Sequence, residues 1–512
     1  MSRLRTPAPT SLAALAGCAA LAGCAAGPNY HTPAIAAPAT YAAETAPGAA
    51  ATAAVDMAAW WHALQDPELD SLIERALAGN PDLMIALDRL QAARTFEAAV
   101  IGTVLPVAEA AAAAGRGTGS DLTRGLAPGA LRAGNNGAGL EHINQIGGFD
   151  AIWELDVFGK YRREIEAARA DTGAILAARN QVLVSVVANV ARAYVDLRGL
   201  QVRASVLHAA IDALRESQRI VSIRYQRGIT NELDVTLATR EQATLEAQAA
   251  PLDAQIRAAE YTIATLLGQY PQDLIRELGT TSMVPAVPGA VETGVPLDLL
   301  RRRPDIAAAE RELAAATARI GVATASLFPS LAVAGAIGFQ RQSTGGLPVL
   351  GKHIWSAGAG AVWPLVDFGA LDAQVEMADL RTRALLVNYK KIIQAAVRDV
   401  DTSMGVYTAQ QASLGKLETA LTASQRAVTL ATERYQRGLT DFLNVVDAER
   451  QEYDIEEQYA ATQVAAAEGF IELYRSLGGG WQNYQQLPPI HRPVPAIIAA
   501  FQRVLSHDEP LK

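Results

Sequence analysis

Apolar residues recur in steps of three and four along two very long stretches of this chain. The first stretch contains no proline, and its repeating apolar positions run from Leu183 to Tyr225. This spacing is typical of a coiled-coil seam, and about 68 residues at 1.5 Å rise give roughly 100 Å of helix. We therefore predict two very long helices, at 160–227 and 370–437, in an elongated rod or tube.

A glycine ends each long stretch, Gly228 in the first and Gly438 in the second. Glycine readily takes the left-handed conformation that reverses a helix. A second helix is therefore expected to run back to Gly268 in the first case and to Gly478 in the second.

Four shorter segments alternate apolar positions with small or polar ones, which is the pattern of a strand. Each is about as long as a membrane-spanning strand, ~9–11 residues. The predicted strands are Val107–Ala114, Ile146–Leu155, Ser330–Gln340 and His353–Leu365. Loops rich in Gly, Asn and Ser, 115–145 and 341–352, are expected inside each pair. A helix that begins near Pro81 or Pro304 precedes each pair.

The same order of elements therefore occurs twice, and the sequence repeats with it. Asn80-Pro81-Asp82-Leu83 matches Arg303-Pro304-Asp305-Ile306 at an offset of 223, and Trp153 matches Trp363 at an offset of 210. The change of offset places 13 extra residues of the first copy between its Pro and its Trp. The predicted organisation is a signal peptide (1–23), a tether (24–58), a first repeat (59–268), a linker (269–302), a second repeat (303–478) and a C-terminal segment (479–512).

The strand count predicts an oligomer. Four strands cannot close a barrel, and an open sheet edge cannot lie in lipid because its backbone groups would have no hydrogen-bond partners. If these strands cross a membrane, several chains must share one barrel.

Composition narrows the class of partner. The chain has 512 residues and a formal charge of −9, and it lacks the basic patch that nucleic-acid binding requires. Its only cysteines are Cys18 and Cys24. The apolar run from Ser11 to Ala22 is too short to span a membrane and follows two arginines, as in a secretion signal.

The end of this signal resembles a bacterial lipobox. Leu21-Ala22-Gly23-Cys24 and Leu15-Ala16-Gly17-Cys18 spell the same four letters. Cys24 is the preferred acylated residue because it leaves the longer apolar run. The alternative is an ordinary signal peptide with incidental cysteines.

No catalytic or metal-binding motif stands out. The seven histidines are scattered, and neither GxSxG nor a P-loop occurs. Asp367-Phe368-Gly369 spells a kinase magnesium triplet, but no other kinase motif accompanies it. It recurs in the first copy as Asp156-Val157-Phe158-Gly159, so we interpret it as a structural turn. We expect no enzyme activity, no cofactor and no metal.

Several motifs together resemble those of the TolC-type outer-membrane efflux channels, most closely the lipidated OprM/NodT-like branch. They are Cys24-x-x-Gly27-Pro28-Asn29-Tyr30, Trp60-Trp61, Leu299 to Ile306, Trp363 to Gly369, and the paired Tyr-x-x-Gly turns. The resemblance covers nearly the whole mature chain.

The resemblance implies a mainly α-helical homotrimer with a membrane β-barrel part. Each protomer would give four strands to a twelve-stranded barrel in the outer membrane, and its helices would build a long α-barrel across the periplasm. Segments near 25–75, 270–300 and 479–512 would form an equatorial belt. The trimer would be a lipid-anchored, passive exit duct for an inner-membrane pump and its periplasmic adaptor protein.

The family also implies roles for individual residues. Tyr225, Gly228, Tyr435 and Gly438 would lie at periplasmic tips where the adaptor docks. Asp447 matches a pore-facing acidic ring, and Tyr435 and Asp234 match a pair that holds the closed gate. Thr440 replaces an arginine of the best-known members and Asn444 replaces an acid, so neutral hydrogen bonds would carry more of the closed state.

Simpler interpretations stand beside these. The glycines would in any case be helix reversals, and Asp447 could be a solvated surface charge. Two other functions fit the pattern less well: the outer-membrane duct of a polypeptide secretion system, and a periplasmic coiled-coil scaffold without a pore. The residues do not identify the substrate, the pump or the resting state of the gate.

Overall fold

The computed structural model describes residues 25–35, 38, 40–42, 56–118, 141–279, 283–289, 302–344 and 347–484. Cys18, Cys24 and the predicted signal peptide lie outside these residues. So do 43–55 of the predicted tether and most of the C-terminal segment.

Helices and strands follow one another in two similar series. The first contains α1 (Pro67–Gly79), α2 (Pro81–Gly102), β1 (Val107–Thr118), β2 (Glu141–Leu155), α3 (Lys160–Gln226) and α4 (Glu232–Leu266). A short helix, α5 (Pro271–Leu278), follows it. The second contains α6 (Pro304–Ala325), β3 (Ser330–Thr344), β4 (Leu347–Val362), α7 (Ala370–Gln436) and α8 (Leu443–Ser476). Short 3-10 turns occupy Trp60–Leu64 and Gln482–Tyr484.

The two predicted long helices are confirmed. α3 and α7 each contain 67 residues, which corresponds to roughly 100 Å. α3 is the central element and packs against α1, α2, α4, α6 and α8. One stretch of α3 is apolar enough to cross a membrane, but 61% of it is buried inside the molecule. Burial against neighbouring helices therefore accounts for its composition.

The main hydrophobic core surrounds the middle of α3, where several aromatic residues meet. Trp60 stacks on Tyr474 with ring centroids 5.7 Å apart and meets Phe470 edge-on at 6.0 Å. Such packed aromatic pairs contribute beyond their buried area. The tryptophan pair that opens the ordered region thus fixes its 3-10 turn against α8.

A buried polar network crosses this core. The Arg198 side chain is fully buried; its Nη1 donates to Gln201 Oε1 at 2.7 Å and its Nη2 pairs with Glu68. Gln201 Nε2 in turn donates to the Leu278 carbonyl at 2.8 Å. The network joins α1 and α5 to α3. The buried guanidinium of Arg198 is tolerated because it is paired.

The four strands form one antiparallel sheet in the order β1-β2-β3-β4. They are longer than predicted at their outer ends, so the predicted loops 115–145 and 341–352 are too long. Gly- and Ser-rich segments remain paired there because the ladder joins backbone groups rather than side chains. β4 also ends at Val362 and not at Leu365, because Pro364 cannot donate to a ladder.

The junctions between strands and long helices are duplicated turns, as interpreted from the sequence. Gly159 and Gly369 have φ values of 80° and 82°, in the left-handed region. Asp156 accepts from the Tyr161 amide at 3.2 Å and Asp367 from the Leu371 amide at 2.8 Å. Each aspartate thus caps the first turn of its long helix.

Candidate functional site

The two hairpin turns that end α3 and α7 have the same backbone geometry. The amide of Gly228 donates to the Tyr225 carbonyl and that of Gly438 to the Tyr435 carbonyl, both at 2.9 Å. The next amide in each turn, that of Ile229 or Leu439, donates to the carbonyl five residues earlier, also at 2.9 Å. This is the Schellman arrangement, and both glycines have positive φ as it requires.

The tyrosines that precede these glycines occupy different environments despite the repeated sequence. Tyr435 is 6% exposed, whereas Tyr225 is 44% exposed. The Tyr435 ring lies 5.2 Å from the Phe442 ring, and the Arg224 guanidinium lies 4.7 Å above it. The turn that ends α7 therefore packs against the end of α3 within one chain.

A small apolar cluster surrounds Tyr435 and joins four helices. Its members come from the ends of α3, α4, α7 and α8: Val221, Ala238, Tyr435, Phe442, Val445 and Val446. This tip cluster is separate from the main core, so packing at the tip has its own local stability.

Asp234 lies near Tyr435 but does not hydrogen-bond to it. Its carboxylate accepts from the Thr230 hydroxyl, and its amide donates to Asn231 Oδ1 at 3.3 Å. Burial raises the pKa of Tyr435, Arg224 opposes this change, and the Asp234 charge adds to it. The Tyr435 hydroxyl forms no hydrogen bond of normal geometry among the described residues. Packing of the ring therefore contributes more than the hydroxyl to holding Tyr435 in place.

Asp447 is half-exposed near the start of α8. Its two oxygens accept from Gln451 at 2.7 Å and from Arg450 at 3.3 Å. The Arg450 guanidinium thus offsets part of its charge. Nearby, Asn444 donates to the Thr440 hydroxyl at 2.8 Å, which is a neutral hydrogen bond.

The sheet has two chemically different faces. Paired residues lie on the same face and successive rows alternate. One face carries the row Phe149, Ile337 and Trp355, whose side chains are 64%, 64% and 80% exposed. The opposite face carries the neighbouring pair Glu109–Asp150 and, three rows from the apolar row, the pair Gln340–Lys352.

The first described residues dock at the junction of β2 and α3. The Ala26 amide donates to the Phe158 carbonyl at 2.9 Å. The buried Arg163 donates to the Ala26 and Gly27 carbonyls, at 3.1 and 3.3 Å, and to Asn29 Oδ1 at 2.7 Å. The chain is thus held at the end of the sheet two residues after Cys24.

Sequence reasoning missed the residues that make these contacts. Arg224 and Phe442 support Tyr435, and Arg163 binds the N-terminal segment. Arg224 belongs to the repeated Arg-Tyr-Gln-Arg-Gly motif, which could have drawn attention to it. Arg163 has no such signal, because its counterpart at an offset of 210 is Ala373.

Within the part of the chain that the structure describes, no group of three or more His, Cys, Asp or Glu side chains could hold a metal ion. The candidate functional features are therefore the packed tips of the helical hairpins and the sheet with one apolar and one polar face.

Residues 72–269 and 295–479 match the family described as outer membrane efflux protein. The chain is 30% identical over 440 residues to the pyoverdine export outer membrane protein OpmQ of Pseudomonas aeruginosa, covering 85% of this chain and 90% of that protein. It is 29% identical over 432 residues to nodulation protein T of Rhizobium leguminosarum bv. trifolii, covering 83% and 87%.

Solved structures agree with these sequence matches. The fold is similar to the outer-membrane channel OprN, with a TM-score of 0.80 and 35% identity over 90% of this chain and 100% of that one. It is also similar to the open state of the MtrE outer membrane channel of Neisseria gonorrhoeae, with a TM-score of 0.74, 26% identity and coverage of 90% and 100%.

Proposed function

This chain belongs to the outer membrane efflux protein family, and we propose that three copies form the passive exit channel of a tripartite efflux system. The channel would receive small toxic molecules from an inner-membrane pump through a periplasmic adaptor. The outer membrane is its location, as for its relatives. It would act as a conduit and catalyse no reaction.

The observation that carries this proposal is a sheet with one apolar and one polar face, whose strands lead directly into two helices of 67 residues each. An apolar face suits lipid and a polar face suits an aqueous lumen. The outer edges of β1 and β4 need partners in lipid. Three copies supply them in a closed barrel of twelve strands, which supports a pore over a scaffold without one.

The internal repeat supports a specific contact between copies. Within one chain, Phe158 stacks on Phe328 with centroids 4.8 Å apart. Its counterpart Phe368 is 98% exposed, and the counterpart of Phe328 is Leu105. If each copy packs on the next as its halves pack on each other, Phe368 meets Leu105 of the next copy.

Cysteine cross-linking tests the trimer. A chain with Phe368→Cys and Leu105→Cys should oxidise to a covalently linked trimer, visible on a non-reducing gel. Cys24 is the single cysteine left after signal removal, so the background is low. Tyr270→Cys, at an exposed site in the belt, paired with Leu105→Cys is the control and should give monomers. Monomers from both pairs would contradict the shared barrel.

Efflux of small molecules is favoured over polypeptide secretion by the names of the relatives. They include OpmQ, named for pyoverdine export, and SrpC of Pseudomonas putida, named for solvent efflux. The lipobox of this chain points the same way. A deletion strain should regain resistance to small toxic molecules when the gene is restored, and unchanged sensitivity would contradict the role.

We assign the adaptor-docking tips to Tyr225, Gly228, Tyr435 and Gly438. Both glycines have open space where a Cβ would lie but positive φ, so a bulky charged residue would disturb the turn without a clash elsewhere. Gly228→Glu or Gly438→Glu should abolish resistance while trimer abundance stays unchanged. Full resistance would leave these glycines as ordinary helix reversals.

We assign the gate to Asp447, Tyr435 and Asp234, with a closed resting state. Three Asp447 carboxylates around one axis would attract cations. The Tyr435 cluster would keep the second hairpin against the first. Single-channel conductance of the trimer tests both roles.

We also assign acylation to Cys24. The docked segment supports this choice, because Ala25 lies beside Gly159 at the end of the sheet, where the membrane boundary is expected. Mass spectrometry of the N-terminal peptide should find diacylglycerol on Cys24. A lipid on Cys18, or an unmodified peptide that begins elsewhere, would overturn the assignment.

A further inference from the structure

A partly buried carboxyl group lies between the two helical hairpins, about one helical turn from the tip cluster and outside the main core. Glu449 on α8 accepts from the Ser217 hydroxyl on α3, with Ser217 Oγ 2.6 Å from Glu449 Oε1. Its other oxygen, Oε2, is shielded from solvent and has no hydrogen-bond partner among the described residues. A buried acceptor without a partner is costly, and more so when it is charged.

The surroundings of Glu449 contain more acid than base. It borders a cavity of about 180 Å³ between the hairpins. Three carboxylates line this cavity with it, Glu241 from α4 and Glu452 and Glu456 from α8, together with Tyr453. α7 contributes Val428, α8 also contributes Arg450, and alanines and leucines of α3 and α4 complete the wall.

The two arginines described beside this cavity contact carboxylates other than Glu449. Arg450 lines the cavity but its guanidinium contacts Asp447 at 3.3 Å, and Arg240 contacts Glu241 at 3.6 Å. Burial therefore raises the pKa of Glu449 to about 7, with the Glu452 charge adding to the rise and the Ser217 bond opposing it.

We propose that Glu449 is a proton-dependent lock between the two hairpins, which holds them together when protonated and loosens them when ionised. The protonated carboxyl is neutral, so its shielded second oxygen carries no unpaired charge. The ionised form places an uncompensated charge among three other carboxylates. Separation of α8 from α3 lets water reach that charge.

The direction of the pH effect follows from linkage. The packed state binds the proton more tightly than the released state, whose pKa has the ordinary value of 4.5. Packing is therefore strongest at low pH and weakens as pH rises through about 7. With these two values, the opening constant rises about 20-fold between about pH 5.5 and about pH 7.5.

Hydrogen–deuterium exchange of the full-length trimer tests the lock directly. Once intrinsic rates are corrected, peptides from 210–221 and 445–456 should exchange about 20-fold faster at the higher pH. Glu449→Gln, which is neutral at both values, should remove this step and stay protected. Ser217→Ala should move the step to higher pH, since it removes the bond that stabilises the carboxylate.

Loss of an acid outside the cavity is the matched control. Glu232→Gln should keep the exchange step, because Glu232 is exposed in the first turn of α4 and does not line the cavity. Native mass spectrometry would establish that each variant is still a trimer. No step in the wild type, or the same step in Glu449→Gln, would overturn the proposal.

The consequence for transport rests on the proposed channel function. Open events in planar bilayers should become more frequent from about pH 5.5 to about pH 7.5, and Glu449→Gln should suppress that rise. An exchange step without any change in open events would keep the lock and overturn the gate assignment instead.

Discussion

Replacement of Tyr435 by alanine should release the tip of the second hairpin. The ring is 6% exposed, lies 5.2 Å from Phe442 and carries the Arg224 guanidinium 4.7 Å above it. Loss of a buried aromatic side chain costs about 3–5 kcal/mol, and the cation–π contact belongs to that loss. At about 1.4 kcal/mol per factor of ten, a cost of ~3 kcal/mol favours the released tip more than 100-fold.

Planar-bilayer recordings of the purified trimer measure this release. Tyr435→Ala should raise the mean conductance or the frequency of open events above the wild type. Cells that produce it should become sensitive to large antibiotics that the closed channel excludes. Tyr435→Phe keeps the ring and removes only a hydroxyl that forms no hydrogen bond of normal geometry with the residues that the structure describes, so its change should be small.

Two results would refute the reasoning. Wild-type conductance for Tyr435→Ala, with the trimer intact, would show that the tip cluster does not hold the closed state. An equal increase for Tyr435→Phe would show that the hydroxyl, not the ring, carries the contact. Leu439→Ala, at a 64% exposed position of the same turn, controls for disturbance of the tip and should leave conductance unchanged.

Three further variants test other parts of the structure. Arg198→Met should lower the apparent Tm, because it breaks a buried pair worth about 3 kcal/mol, while Arg219→Met, on the exposed surface, should change it little; equal Tm values would contradict the role of the network. Gly27→Ala should free the docked N-terminal segment to limited proteolysis, since its Cβ would lie 2.5 Å from the neighbouring backbone and φ is +81°; Gly102→Ala, in open space, should not. Asp447→Ala should reduce cation selectivity in reversal-potential measurements, and an unchanged reversal potential would place Asp447 away from the pore.

The sequence predicts the long helices well because one strong signal governs them. Twelve apolar residues and Gln218 lead into Gly228 at helical spacing, and no proline interrupts them. Both long helices end one residue before the predicted end, where the Schellman turn begins. Periodicity and glycine chemistry are local properties, so no knowledge of the packing was needed.

The strand ends were harder to predict for a physical reason. Pairing extends to Thr118 and Glu141 because each strand finds a neighbour of matching length, which is a property of the sheet and not of either segment. Composition described 115–118 as loop, yet Gly115 and Gly117 pair with partners on β2.

The site residues were located by motif, but their interactions came from the packing of one repeat on the other. Tyr225 and Tyr435 stand in identical five-residue motifs, and the sequence gives no reason to treat them differently. Tyr435 is buried because the first hairpin lies beside it. Arg224 contacts the Tyr435 ring through this packing, and no local sequence pattern encodes that contact.

The two matching turns at the strand–helix junctions differ in what packs against them. Gly159 and Gly369 share a φ near 80°, but a Cβ on Gly159 would lie 2.6 Å from Ala25, whereas Gly369 has open space. Arg163 holds the N-terminal segment on the first turn, and Ala373 at the matching position cannot. The N-terminal segment therefore occupies one junction in each chain. The other junction, with Phe368 exposed beside it, remains available to a neighbouring copy.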